Sequence, residues 1–506
     1  MNDAIRKTLL ASVYDVAVET PLQLASKLSR ELDNLVYLKR EDLQPVHSFK
    51  IRGAYNKIHQ LSEAERQNGI IAASAGNHAQ GVAFSAQKLG IDATIVMPKT
   101  TPSIKVEAVK SYGAEVILSG DNYSEAYETC RELIHETGKT LIHPFDDPDV
   151  IAGQGTVGRE ILEQLPETDY ILVPVGGGGL IAGIAQYIKS LKPDVMVIGV
   201  EPEDSSAMQQ SLKAGRRLTL DHVGVFADGV AVKQVGSLTF NLCRKYVDLI
   251  ITVDNDQICA AIKSIFEETR SIVEPAGALS VAGARLFCTT NHLAGKRLVA
   301  IASGANMTFE KLQFVAERTL LGSGKEALFA VTLPEKAGAL DIFCDQVVKG
   351  HNITEFSYRL YSRQEAHVLV GVSIADAADK AAFTAKMKHY GFPYFDISGD
   401  DLAKEHVRHM IGGPSHQAAH EQIYKINFPE RPRALSDFLG NIGREYNISL
   451  FHYRGQGGDT GTVLIGFESE SVRELEDSLK NSGYEFVPAD SLSVAIFLKP
   501  VDPRLK

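Results

Sequence analysis

The stretch Tyr170–Ile188, YILVPVGGGGLIAGIAQYI, decides how the whole chain is read. It carries no charge and has the length of a bilayer span, about 20 residues. Pro174 and the run Gly176–Gly179 count against a membrane helix, because each glycine weakens a helix interior by about 1 kcal/mol. Divided differently, ILVPV is a buried strand, the glycines are a turn, and LIAGIAQYIKSL is the helix that follows. That strand-turn-helix unit is the building block of parallel α/β proteins.

The same alternation extends outward from Leu35 to Asn306. Strand-like runs fall at Leu35–Lys39, Ile70–Ser74, Ala93–Pro98, Ala114–Ser119, Val195–Glu201 and Arg297–Gly304, with helical patterns between them. Ligands of such sheets bind at the carboxyl ends of the strands. The segments ASAGNH, PVGGGG and IASGAN are therefore expected to meet in one crevice.

After about Gly324 the pattern changes to an internal repeat displaced by 95 residues. Phe329–Leu360 parallels Tyr424–Gly455: Pro334-Glu335 matches Pro429-Glu430, Asn352-Ile353 matches Asn447-Ile448, and Tyr358-Arg359 matches Tyr453-Arg454. Each copy reads as strand, loop, amphipathic helix and strand, with a further strand at His367–Ile374 or Thr462–Glu468, as in a ferredoxin-like α+β unit. The expected division is a catalytic region over residues 1–322, modules at 326–397 and 421–496, and a linker at 398–420 containing Gly412, Gly413 and Pro414.

Composition narrows the chemistry. The 506 residues are 44% hydrophobic and 23% charged, as in a soluble globular protein. A net charge of -11 without a long basic run argues against a nucleic-acid partner. Five widely spaced cysteines without a C-x-x-C pair suggest neither a disulfide framework nor zinc, and fit a reducing cytoplasm. The first residues mix charges into their apolar positions, so no export signal or membrane association is expected.

Three constellations carry chemistry. Lys50 in HSFKIRGAYN would by itself read as a solvated surface lysine, since lysine is among the least buried residues. Set between Phe49 and Ile51 in an amphipathic segment, it could occupy a partly apolar crevice where its amine is a neutral nucleophile. The run Ser74, Ala75, Gly76 and Asn77 enters a helix; it reads either as a helix cap or as a site for a substrate carboxylate, which the same free N–H groups would bind. Gly176, Gly177, Gly178 and Gly179 with Leu180 form a turn whose N–H groups can surround a phosphate, and close packing would explain only one or two of these glycines.

A dinucleotide fingerprint competes, because Gly177, Gly179 and Ala182 spell G-x-G-x-x-A with Glu201 about 20 residues on. Gly153, Gly155 and Gly158 spell a second match that follows no clear strand. A nicotinamide enzyme gives no reason for HSFK, SAGNH and SGAN at other strand ends. Pyridoxal phosphate (PLP) does, since it needs an amine, a phosphate cradle and a partner for its ring nitrogen, for which Ser303 is the candidate. Glu201 and Asp204 stay open as a cation site. His406, His409, His416 and His420 read as solvated linker residues, and no metal site is assigned to them.

In the order HSFKIRGA, SAGNHAQG, AGQGT, PVGGGGL, FADGVAV, EPAGA and SGAN, these motifs resemble the fold type II PLP enzymes and, within them, the biosynthetic threonine ammonia-lyases. The resemblance covers the chain nearly end to end, since that family carries two C-terminal ACT-like modules. It implies that Lys50 anchors PLP and removes the α-proton, that Asn77 meets the cofactor's phenolic oxygen, that Gly176–Leu180 hold its phosphate, and that Ser303 faces its ring nitrogen. It also implies deamination of threonine to 2-oxobutanoate and ammonia, inhibition by isoleucine opposed by valine, and a homotetramer. Rival readings are a serine dehydratase, a serine racemase, a β-replacement enzyme or a non-catalytic amino-acid sensor.

Overall fold

The computed structural model describes residues 3–120, 123–224, 226–309, 311–359, 364–400, 418, 420–429, 434–442, 446–454, 460–484 and 486–489. The chain divides into two compact units, Met1–Thr319 and Leu320–Lys506.

In the first unit the strands are β1 (Leu22–Leu24), β2 (Leu35–Arg40), β3 (Ile70–Ala73), β4 (Ala93–Met97), β5 (Glu115–Leu118), β6 (Thr140–Leu141), β7 (Tyr170–Pro174), β8 (Met196–Pro202), β9 (Leu249–Val253) and β10 (Arg297–Ala302). They form a six-stranded sheet in the order β1-β2-β10-β7-β8-β9 and a four-stranded sheet in the order β5-β4-β3-β6. All neighbours are parallel except β1 with β2. Every residue of β3 and β4 is buried, as expected of parallel strands covered on both faces. The opening stretch forms β7, a glycine turn and the helix Gly179–Leu191, of which nine residues are buried. No described helix is long and apolar enough to cross a membrane.

The second G-x-G-x-x-G lies inside the helix Pro148–Gln164, which Asp147 caps by accepting the Asp149 and Val150 N–H groups. A Cβ on Gly153 would lie 2.7 Å from the Arg52 carbonyl oxygen, one on Gly155 2.7 Å from Thr8 Oγ1, and one on Gly158 3.3 Å from Ile184 Cα. These glycines admit neighbouring chain segments and bind no dinucleotide phosphate.

The second unit contains β11 (Glu326–Pro334), β12 (Ile353–Arg359), β13 (Glu365–Ser373), β14 (Tyr394–Asp396), β15 (Glu421–Pro429), β16 (Asn447–Arg454), β17 (Thr460–Glu468) and β18 (Phe486–Pro488). With the helices Ala339–Phe343, Ala377–His389, Ala434–Ile442 and Val472–Asn481, each half follows the order β-α-β-β-α-β. The halves share one antiparallel eight-stranded sheet, β14-β11-β13-β12-β16-β17-β15-β18. At its centre β12 pairs with β16 so that Ser357 faces His452, its own counterpart in the repeat. The modules thus join edge to edge in an isologous manner. Phe356 and its counterpart Phe451 meet there edge to face, 5.3 Å apart, in a core that also holds Phe329, Phe343, Phe383 and Phe438.

Candidate active site

The Lys50 segment is strapped along the end of β10. Ser48 pairs with Gly304, the Phe49 N–H donates to the Ser303 oxygen at 3.2 Å, and the Ala305 N–H donates to the His47 oxygen at 2.9 Å. Lys50 begins the helix Lys50–His59, and its amine donates to the Pro144 oxygen at 3.0 Å. Burial lowers that amine to about 8 from an ordinary 10.5, with the Glu274 carboxylate acting against the shift.

Beneath Lys50 the helix is held by charge. The fully buried Arg52 donates from Nε to Glu41 at 2.8 Å and from Nη1 to Glu160 at 2.5 Å, while Lys39 donates to Glu160 at 2.6 Å. Burial alone would raise the Glu41 carboxyl, but Arg52 holds it below the usual range. Removing one member of such a cluster strands a buried charge, so the cluster fixes where the helix begins.

The segment Ser74, Ala75, Gly76 and Asn77 follows β3 and opens the helix Asn77–Leu89. Neither Ser74 nor Asn77 caps it: Gly76 holds the cap position, without a side-chain hydrogen bond. Asn77 instead donates from Nδ2 to Glu274 Oε1 at 2.6 Å and accepts at Oδ1 from Asn306 Nδ2 at 2.7 Å. The N–H groups of the first turn therefore lack a side-chain acceptor and, with the helix dipole, favour an anion. Glu274 lies in the motif EPAGA, to which the sequence assigned no separate role; burial, and then the nearby Asp228, push its carboxyl up to about 7.

The tetraglycine turn corrects one expectation. A Cβ on Gly176 would lie 3.0 Å from Val230 Cα, on Gly177 2.2 Å from the Phe145 ring, on Gly178 2.6 Å from Met208 Cε, and on Gly179 3.0 Å from Phe145 Cβ. Close packing accounts for all four glycines, and Gly178 also has φ of 94°. What points to a phosphate is the uncapped N-terminus of the helix Gly179–Leu191, whose first N–H groups, including that of Leu180, have no partner within the helix. Phe145, packed on Gly177, follows the Pro144 carbonyl that receives the Lys50 amine, so turn and lysine are neighbours.

Glu201 accepts the Met208 and Gln209 N–H groups at 2.9 and 2.8 Å, which leaves it engaged and not poised for a ribose or a cation. Among the described residues no group of three or more His, Cys, Asp or Glu could hold a metal. His406, His409 and His416 lie outside the described residues, and His420 is exposed. All five cysteines are free and buried, and burial pushes every thiol up.

These residues fit PLP. An amine of lowered basicity, an uncapped helix terminus and the buried Ser303 hydroxyl stand together, and Ser48, two residues from Lys50, keeps a buried hydroxyl with no partner among the described residues.

A family model described as pyridoxal-phosphate dependent enzyme matches residues 13–304. A second, described as the C-terminal regulatory domain of threonine dehydratase, matches residues 317–407 and 412–494. The chain is 50% identical over 492 residues to a biosynthetic L-threonine dehydratase of Burkholderia multivorans, covering 96% of this chain and 97% of that protein. It is 48% identical to the Escherichia coli protein of the same name, over 95% and 94% of the two chains. The solved structure of processed threonine deaminase isoform 2 from Solanum lycopersicum superposes with a TM-score of 0.62 at 49% identity, over 63% of this chain and 88% of that one. With both halves matched along one chain, the protein belongs to the PLP-dependent threonine dehydratase family.

Proposed function

We infer that this enzyme deaminates L-threonine to 2-oxobutanoate and ammonia, the committed step of isoleucine biosynthesis, under control of its C-terminal modules. The observation that carries this is the Lys50 amine, held at about 8 beside an uncapped glycine turn in a chain that also bears the duplicated modules. PLP, when bound, supplies the electron sink for the charge left on the substrate's α-carbon.

Each residue's part follows from its chemistry. Lys50 Nζ anchors the cofactor and then takes the α-proton, a task for which an amine near neutral pH is suited. Gly176, Gly177, Gly178, Gly179 and Leu180 hold the phosphate at their helix terminus. Ser303 meets the ring nitrogen, and as a hydroxyl it stabilises a protonated ring less than a carboxylate would, which favours elimination. Ser74, Ala75, Gly76 and Asn77 receive the substrate carboxylate, and Asn77, its amide fixed by Glu274 and Asn306, also turns toward the phenolic oxygen.

The effector is isoleucine, opposed by valine, acting on modules 326–397 and 421–496 joined by the linker 398–420; the working form is a cytoplasmic homotetramer. A half-open pocket in the second unit supports the effector assignment. Leu333, Leu439 and Ile442 offer it an apolar wall, while Glu335 and Lys336 offer opposite charges for the two ends of an amino acid. Glu335 accepts from Tyr358 of one module at 2.5 Å and from Asn447 of the other at 3.3 Å, so an occupant would touch both copies.

The test is 2-oxo acid formation from threonine and from serine, with and without isoleucine. Turnover of threonine that isoleucine suppresses is expected; serine turnover indifferent to isoleucine would overturn the reading.

A further inference from the structure

Asp228, in the motif FADGVAV, gives each carboxylate oxygen to a different lysine. Oδ2 accepts from Lys105 Nζ at 2.7 Å and Oδ1 from Lys311 Nζ at 3.0 Å. Lys105 belongs to the helix Ser103–Ser111, which lies between β4 and β5 in the chain and packs on β5 and on the helix Asn77–Leu89. It therefore moves with the four-stranded sheet. Lys311 begins the helix Lys311–Gly322; it also donates to the Phe226 oxygen at 3.0 Å, and the Phe226 ring lies 4.7 Å from that of Phe314. The loop around Asp228 is thus anchored on one side, and Lys105 reaches it from the other.

That loop adjoins the substrate end of the cleft. A Cβ on Gly229 would lie 3.4 Å from Glu274 Oε1 and 3.8 Å from Asn77 Nδ2. An ion pair joining the helix Ser103–Ser111 to this loop links the subdomain of the four-stranded sheet to that of the six-stranded sheet. Its side chains are partly exposed, 15% for Lys105, 39% for Asp228 and 25% for Lys311, so solvent weakens it and lets it break.

We propose that Asp228 is a positioning residue: through Lys105 it latches the subdomain of the four-stranded sheet across the cleft and holds it closed over the bound amino acid. Closure of this kind excludes water and commits the substrate without touching the reacting atoms. The assignment of threonine to the cleft enters only the kinetic half of the test. The other half reads the latch directly.

The experiment compares wild type, Asp228→Asn, Lys105→Met and the double variant. Amide hydrogen exchange across residues 103–111 is measured in the cofactor-free and cofactor-loaded proteins, and KM and kcat for threonine in the loaded enzyme. Each single variant should speed exchange there and raise KM about two- to fivefold with kcat changed less than about twofold, as a half-exposed ion pair allows. The double variant should match Asp228→Asn alone. Wild type should approach the variants in about 1 M salt, where the screening length is about 3 Å. Exchange across 103–111 that neither variant changes, additive effects in the double variant, or a fall in kcat with KM unchanged would each overturn the latch. A wild type inert toward threonine would instead overturn the assigned substrate, and the exchange data would still decide the latch.

Discussion

The ground beneath Lys50 and the pocket of the second unit place charge in different ways. Under Lys50 the charges are buried: Arg52, Lys39, Glu41 and Glu160 are all at 0% exposure and pair with one another. In the second unit the main apolar cluster is rich in phenylalanine, and Glu335 and Lys336 line a pocket at its edge. Buried ion pairs add little net stability, because desolvation offsets most of their attraction, but they admit one geometry. The first unit thus devotes a cluster of buried ion pairs to fixing a lysine, whereas the second unit folds mainly on apolar packing and, besides the buried Glu326 and Glu355, carries Glu335 and Lys336 at the wall of a pocket.

Arg52→Met should break this contrast most severely. It leaves Glu41 without its guanidinium partner and takes one cation from Glu160, at a cost of about 3–5 kcal/mol, visible in urea unfolding of the first unit. The pH dependence of cofactor uptake comes next. Attack on the cofactor needs the neutral amine, and a lowered value populates that form at lower pH. Uptake by the apoenzyme, followed by absorbance, should rise with a midpoint near pH 8 and not near 10.5.

Glu335→Gln should sharpen the contrast from the other side. Losing a charged acceptor should raise the isoleucine concentration for half-inhibition about tenfold, while stability and uninhibited kcat stay nearly constant. The smallest effect falls on a feature that both modules repeat. Each has a β-bulge, at Thr354 in β12 and at Ser449 in β16, whose hydroxyl donates to a carboxylate, Glu326 or Glu421. Thr354→Val and Ser449→Ala should each cost about 1 kcal/mol in thermal unfolding, and by similar amounts, because the two sites are equivalent.

Much of this was legible in the sequence. Apolar runs such as Ala93–Pro98 and Arg297–Gly304 became β4 and β10 because parallel strands buried on both faces leave a continuous apolar signature. The duplicated modules showed themselves through matched residues, and each took the expected strand and helix order. What was hidden depends on partners remote in sequence. Glu274 meets Asn77, and Asp228 meets Lys105 and Lys311, across separations that no local pattern encodes. That close packing accounts for all four of Gly176–Gly179 was hidden for the same reason, since Val230, the ring of Phe145 and the side chain of Met208 that crowd them lie elsewhere in the chain. The pairing of β12 with β16 was invisible for the same reason, since periodicity does not say which strand edges remain free.

The central claim is that the chemistry of the first unit turns on one amine. The direct measurement is 2-oxobutanoate formation from threonine by Lys50→Ala beside wild type, with PLP supplied in excess. Losing both the anchor and the proton acceptor should reduce turnover by at least about a thousandfold. Turnover within about tenfold of wild type would contradict the account.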